Sequence, residues 1–377
     1  MPNVHRVVML SGASGSSRTA HETLSQVAMA QRLATVLGHE FGAASQTAEH
    51  GGVAYFVPTE PLLHTDAVRW GIRSEKDLYG GVAPERFAAT KVLAHAVLNP
   101  SALVPDGWSH ALADRLRSVV LPGFSAFGAA DAQRAGELRL QQGRVRVKPA
   151  RPLATHAHRV VETGSELHEA LVALDPDGLR DHGVVLEHNL DSPRTLSIGE
   201  VLAGGTRLAY YGVQSLTRSN DGTPVYGGSQ LRFVRGGLAD LLAPDLSLGM
   251  RQAIEQALAY DIAVNAAFPR FFASRRSYDV LQGERPDGRR LSGVLGHAWR
   301  IGSASAAEIL ALEAFRADQR LRSLRASTHE VYSPSEAPPP HAWVYYDGVD
   351  PVAGRLLKYA MIEPGSLCGA LMSGALR

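Results

Sequence analysis

Three strand-length segments follow one another with almost nothing between them: Thr195–Ala203, Thr206–Leu216 and Thr223–Arg235. Asn220-Asp221-Gly222, between the last two, is a hairpin signal, because the favoured two-residue turn needs positive φ at its centre. Strands joined this tightly pair antiparallel, since a parallel pair needs a crossover of roughly a dozen residues or more. A second hairpin is expected near the end, from Trp343–Tyr346 and Leu356–Ile362. Helical spacing is expected over Leu248–Ala267, and over Ala304–Leu324, whose Glu and Arg pattern reads as a surface helix. The start of the chain differs. A strand at Val4–Leu10, a helix at Ala20–Leu37 closed by Gly38 and a strand at Gly52–Pro58 make an α/β unit. The expectation is therefore an α+β protein, divided into an N-terminal α/β domain (1–85), a central lid subdomain (86–188) and a larger C-terminal subdomain (189–377).

Composition narrows the function. The 377 residues carry 38 Lys and Arg against 37 Asp and Glu, a net charge of +1. Nucleic-acid binding by counterion release needs a clustered basic excess, so no nucleic-acid partner is expected. The single cysteine, Cys368, excludes an internal disulfide and a cysteine-built zinc site. The apolar run in MPNVHRVVMLSGASG is too short for a signal-peptide core, and no stretch approaches a membrane span. A cytoplasmic protein with no membrane partner is expected, with a homodimer left open.

Several residues are candidates for chemistry. Lys91 lies in PERFAATK, within a helical pattern from Glu85 to Leu98 that Asn99-Pro100 stops. Lys148 ends the strand GRVRVK, and Pro149 holds it extended. Glu187 closes VVLE before His188-Asn189-Leu190, and Asp279 and Arg300 sit on the paired stretches SYDVLQG and SGVLGHAWRIG. Asp279 reads equally as a metal ligand and as a salt-bridge partner of a neighbouring Arg. His156 and His158 alternate, but no third ligand at a telling spacing joins them. His297, by period two, points away from Gly296 and Ala298. Tyr226-Gly227-Gly228-Ser229 is either a close approach to a ligand or a bulge. The loop GASGSS lacks the lysine of a P-loop and the third glycine of a dinucleotide fingerprint, so it reads as a tight turn.

In this order the motifs resemble the ATP-grasp superfamily, in which two α+β subdomains close on ATP. The sequence resembles still more closely an uncharacterised, mainly proteobacterial family of ATP-grasp-like proteins. The stretches that carry this are GIRSEKDLYGGVAPERFAATK, VLPGFSAFGAADAQRAG, VVLEHNL, YYGVQSLT, VYGGSQLRFVRG, ASRRSYDVLQG and SGVLGHAWRIGSASAAE. The resemblance implies an ATP-grasp fold with a pre-ATP-grasp α/β domain, and ATP and Mg²⁺ as cofactors. It implies a ligase that activates a small carboxylic acid as an acylphosphate and joins it to an amine or thiol in specialised biosynthesis. Lys91 and Lys148 would hold phosphate oxygens, while Glu187, His188 and Leu190 would face the adenine. Asp279 would take Mg²⁺, and Arg300 would steady the transferring phosphoryl group. Arg275 and Arg276, with Ser229, would bind the substrate.

The chain departs from that pattern twice. The superfamily's second metal ligand is a Glu four residues before the Arg, with an Asn or Ser between them. Here those positions hold Gly296 and Ala298. After Lys148 a glycine-rich loop normally offers backbone N–H groups to the phosphates. This sequence reads KPARPLATHAHRVV, with no glycine at 149–159. The second expectation is therefore a degenerate relative. It would bind a nucleotide, small ligand or partner without Mg-ATP turnover, or use the cleft for other chemistry.

Overall fold

The computed structural model describes residues 5–11, 18–42, 53–150 and 158–364. The GASGSS loop, His156, the altered segment after Lys148 apart from Pro149, Ala150, His158 and Arg159, and Cys368 lie outside these.

The mixed α+β architecture is the one expected. The strands Asp191–Ala203, Thr206–Arg218 and Pro224–Arg235 form consecutive antiparallel pairs at the centre of an eight-stranded sheet. Arg275–Glu284 and Arg290–Ala298 extend it on one side. On the other, Ser323–Tyr332 is followed by the closing hairpin Trp343–Asp350 and Gly354–Ile362. The Tyr226–Ser229 stretch is a bulge: Ser215 pairs with Gly228 and Leu216 with Tyr226, so Gly227 is the extra residue. Gly228 has φ +141, which a side chain would resist.

Both faces of this sheet are covered. The helix Leu248–Ala267 buries Ala253, Ile254, Ala257, Tyr260 and Val264 against one face. The helices Ala20–Leu37 and Ser305–Ala317 pack on the other, around Tyr210, Leu231, Phe233 and Ala326. The first begins with a Thr19/Glu22 capping box and ends at Gly38 with φ 72. The second corrects an expectation. It is not a surface helix, because ten of its residues are buried, among them Glu308. The charged pattern there marks a buried ion-pair network, described below.

The N-terminal unit is a parallel sheet in the order Glu40–Gly42, His5–Leu10, Val53–Pro58. A small sheet ties it to the body, since Gly81–Ala83 pairs with both Leu62–Leu63 and Phe272–Ala273. A separate four-stranded sheet runs Gly123–Ala126, Val184–His188, Val145–Pro149, Arg159–Val161. Its Val145, Val147, Val184 and Leu186 pack under the helices Ala129–Leu140 and Gly164–Val172. Period two then turns Arg146, Lys148 and Glu187 to the opposite face. No helix among the described residues is long and apolar enough to cross a membrane.

The expected helix from Glu85 to Leu98 does not form. Two single 3₁₀ turns, Phe87–Ala89 and Lys91–Ala94, replace it, separated by an extended Thr90 with φ −124. Phe87, Ala88, Val92, Leu93, Ala94 and Val97 are all buried. A regular helix could not bury residues on so many sides at once here, and tertiary packing overrides the local pattern.

Candidate functional site

The charged face of the four-stranded sheet looks across at the end of the eight-stranded sheet. Lys148 lies between them and is fully buried. Its Nζ stands 2.8 Å from Glu187 Oε1, an ion pair without hydrogen-bond alignment, and donates to the Leu295 carbonyl at 3.0 Å. That carbonyl is free for a structural reason. Asp279 pairs with Gly296 and Val280 with Val294, so Leu295 is a bulged residue with no partner on the next strand. Lys148 thus bridges the two sheets.

Glu187 is also fully buried, with its second oxygen 3.3 Å from His95 Nε2. Sequence reasoning missed His95, although a histidine inside the apolar run KVLAHAVL was a signal of a buried polar partner. Gly123 makes room for the contact, since a Cβ there would lie 2.9 Å from Glu187 Cβ and 3.0 Å from His95 Cε1. The resemblance has Glu187 facing the adenine. Its carboxylate is turned to Lys148 and His95, not outward to a base. His188 and Asn189 give their backbone N–H groups to the carbonyls of Pro122 and Arg144. Leu190 packs its side chain beside Leu121 and Leu281.

Burial governs the ionisation of the group. It lowers Lys148 to about 8, against the pull of Glu187 and with the help of nearby Lys91. Burial by itself would raise Glu187, but the Lys148 ammonium and His95 bring it down to about 2. His95 is lowered by burial and stays a neutral hydrogen-bond partner. Burial and the charges of Lys91, Lys148 and Arg146 push His158 down to about 3. Arg146, two residues before Lys148 on the same strand face, donates to Asn189 Oδ1 at 2.6 Å. Period two could have found it.

Lys91, from the second 3₁₀ turn, is largely buried. It feels Asp279 and Glu187 as attraction and Arg300 and Arg146 as repulsion, while burial lowers its pKa. Asp279 accepts a hydrogen bond from Gln214 Nε2 at 2.7 Å, and Gln214 also donates to Ser197 at 2.9 Å. Burial raises Asp279, opposed by Lys91 and by the Gln214 bond. Arg300 donates to Ile301 O at 2.9 Å and lies within reach of the charges of Arg18, Glu22 and Glu60 of the N-terminal unit.

The expected substrate residues do not gather at this cleft. Arg275 is 2% exposed. Its Nε and Nη2 bond Glu308 at 2.9–3.2 Å, and its Nη1 donates to the carbonyls of Ala298 and Arg300. Glu308 receives Tyr210 at 2.7 Å, Ser305 at 3.1 Å and also Tyr79. Such a satisfied guanidinium is a structural anchor rather than a clamp for a substrate carboxylate. Arg276, the next residue, faces the other side and pairs with Asp261 of the long helix at 3.1 Å. Ser229 is buried, bonded to Tyr226 at 2.7 Å and to Thr328 at 3.1 Å. His297 points away from position 296, as expected, bonding Tyr260 at 2.9 Å and stacking on Trp299.

The residues do not fit a bound Mg²⁺. The ion asks for an octahedral oxygen shell at about 2.0–2.1 Å, with carboxylates supplying part of it. Among the described residues Asp279 and Glu187 are the carboxylates that act most on Lys91, and Glu187 is held by Lys148 and His95. Among the described residues no three His, Cys, Asp or Glu side chains come together as a metal site.

One pH effect follows. Lys148 carries less charge as pH rises through about 8. Affinity for an anion at this cleft is expected to fall about tenfold per pH unit above that value. Folding responds in the opposite direction. The unfolded lysine holds its proton to about 10.5, so the cost of burying the charge is present below pH 8 and is relieved between the two values. Calorimetric titration of ADP and thermal melts from pH 7 to 10 check both slopes.

Lys148 on the inner face of the four-stranded sheet and Lys91 on the adjoining 3₁₀ turn thus meet at the Leu295–Gly296 end of the eight-stranded sheet. The chain belongs to the family described as "Protein of unknown function (DUF3182)", whose model matches residues 9–360. No curated protein matches it. Among solved structures it is similar to D-alanyl-alanine synthetase A from Vibrio cholerae, at 13% identity, covering 84% of this chain and 94% of that one, TM-score 0.49. It is also similar to biotin carboxylase from Campylobacter jejuni, at 10% identity, covering 95% and 87%, TM-score 0.49. A third is phosphoribosylamine–glycine ligase from Thermotoga maritima, at 12% identity, covering 96% and 93%, TM-score 0.48. Likeness at this level carries nothing about activity to this chain.

Proposed function

We propose that the protein is an ATP-dependent ligase that joins a small carboxylic acid to an amine or thiol. The observation that carries this reading is that Lys148, on the Leu295 carbonyl, and Lys91, over Gly296, meet beside Asp279, the strand partner of Gly296. Cations gathered under low dielectric suit the charge of a triphosphate and of the phosphoryl group in transfer. In the first step a carboxylate oxygen of the acid attacks the γ-phosphorus, and the bond to the β–γ bridging oxygen breaks to release ADP. In the second, the amine or thiol attacks the acyl carbon and the acyl C–O bond breaks. Phosphate leaves with the electron pair, and the nucleophile loses its proton. Lys148, held by Glu187 and the Leu295 carbonyl, would place its ammonium beside the phosphates, and Arg300 would steady the transferring phosphoryl group. The cytoplasm, where ATP is supplied, suits such an enzyme.

ATP with a panel of small carboxylic acids, each with ammonia, an amino acid or a thiol, tests this. Release of ADP and phosphate dependent on one acid is expected. A second reading is that the cleft binds a nucleotide without turnover. The lone Asp279, with glycine and alanine at 296 and 298, favours it. Saturable nucleotide binding with no ADP formed under any pairing would select that reading over the ligase.

A further inference from the structure

We infer that the cleft takes its nucleotide free of divalent metal, the Lys91 ammonium supplying positive charge where a metal would sit. This rests on the reading of the cleft as a nucleotide site and goes beyond it.

Gly296 pairs with Asp279 across the two strands, so a side chain there would rise on the same face as the Asp279 carboxylate. That space is filled. A Cβ at 296 would lie 3.1 Å from Lys91 Cγ and 3.4 Å from Cδ and Cε. The lysine stem lies across the glycine, so even a methyl group would press on it and a glutamate would displace it. The missing carboxylate and the placement of the lysine are therefore one feature.

Charge points the same way. Lys148 feels the charges of Lys91 and Arg146, Lys91 those of Arg146 and Arg300, and Glu187 is already matched by Lys148 and His95. Lys91 has no carboxylate at ion-pair distance among the described residues and feels Asp279 only at longer range. A divalent ion brought beside Asp279 would meet that ammonium and lose Coulomb energy, and the lysine stem over Gly296 takes the place of a second carboxylate that could offset the loss. A metal-free triphosphate carries more negative charge than its magnesium complex. It would complete the cluster with charge-assisted hydrogen bonds to Lys91.

Titration calorimetry with ATP decides this, in EDTA and in excess Mg²⁺. The wild type is expected to bind ATP in EDTA and to bind less tightly once Mg²⁺ complexes the ligand. Lys91→Met is expected to weaken binding in EDTA roughly tenfold or more, the loss of one charged hydrogen bond. Its melting temperature shows whether it is folded, and Gly296→Ala, which only crowds the lysine stem, is expected to act in the same direction. Mn²⁺ as a spin probe gives an independent readout: its signal in the presence of protein and ATP should match that of Mn-ATP alone. Binding that requires Mg²⁺, immobilised Mn²⁺, or full EDTA affinity in folded Lys91→Met overturns the inference and leaves the nucleotide site standing. Absence of binding under both conditions removes both.

Discussion

Replacing Lys148 by methionine is expected to abolish ATP turnover and to destabilise the fold by about 3–5 kcal/mol, the cost of leaving a buried charge without its partner. Methionine keeps the length of the stem, so little cavity forms. What is lost is the ammonium that stands between Glu187 Oε1 and the Leu295 carbonyl. Glu187 is then left with His95 as its hydrogen-bond partner and no ammonium at ion-pair distance among the described residues, and the bulged Leu295 carbonyl loses its donor. The carboxylate responds by taking up a proton well above its present value of about 2. The pair of effects can be separated. Adding Glu187→Gln to Lys148→Met removes the orphaned charge and is expected to recover most of the stability and none of the activity. Chemical denaturation and an ADP-release assay measure the two. A Lys148→Met protein of normal stability and full activity would mean that this lysine is neither the bridge nor the phosphate contact.

The second large effect is expected at a residue that touches no ligand. Arg275→Met leaves Glu308 buried, with Tyr79, Tyr210 and Ser305 donating to it and no cation to balance it. A loss of about 3–5 kcal/mol is again expected, read as a lowered melting temperature and poor yield. It also frees the Ala298 and Arg300 carbonyls, so the strand end that carries Arg300 loosens. Glu308→Gln in the same chain is expected to restore part of the stability, because the tyrosines can still donate to the amide oxygen. Had Arg275 been a substrate clamp, its replacement would raise KM and leave the fold intact. A stable Arg275→Met protein with only a raised KM would return the residue to that role.

The architecture was legible where local signals and tertiary structure agree. The long helix Leu248–Ala267, the three central strands and the closing hairpin all follow from apolar spacing and turn chemistry. Lys148 was legible because an extended residue before proline at a strand end has few places to go. The failures share a cause. Glu308 and Arg275 read as surface charge and substrate clamp because their mutual pairing spans 33 residues and leaves no local trace. Glu187 read as a base contact because the sequence shows neither His95 nor the Lys148 ammonium converging on it. The stretch around Lys91 read as a helix because its residues favour one, whereas burial on every side breaks it into single turns. The absence of a carboxylate at 296 was visible in the sequence. That the Lys91 stem lies over the gap was not, since it depends on how the two sheets meet.

The account stands on the claim that the opposed inner faces of the two sheets form the phosphate site of a nucleotide. A crystal structure with a non-hydrolysable ATP analogue tests it most directly. The account predicts a triphosphate with oxygens on Lys91 and Lys148, between the four-stranded sheet and the Gly296 end of the eight-stranded sheet, and no metal ion at Asp279. A nucleotide bound elsewhere on the molecule, with Lys91 and Lys148 untouched, would contradict it.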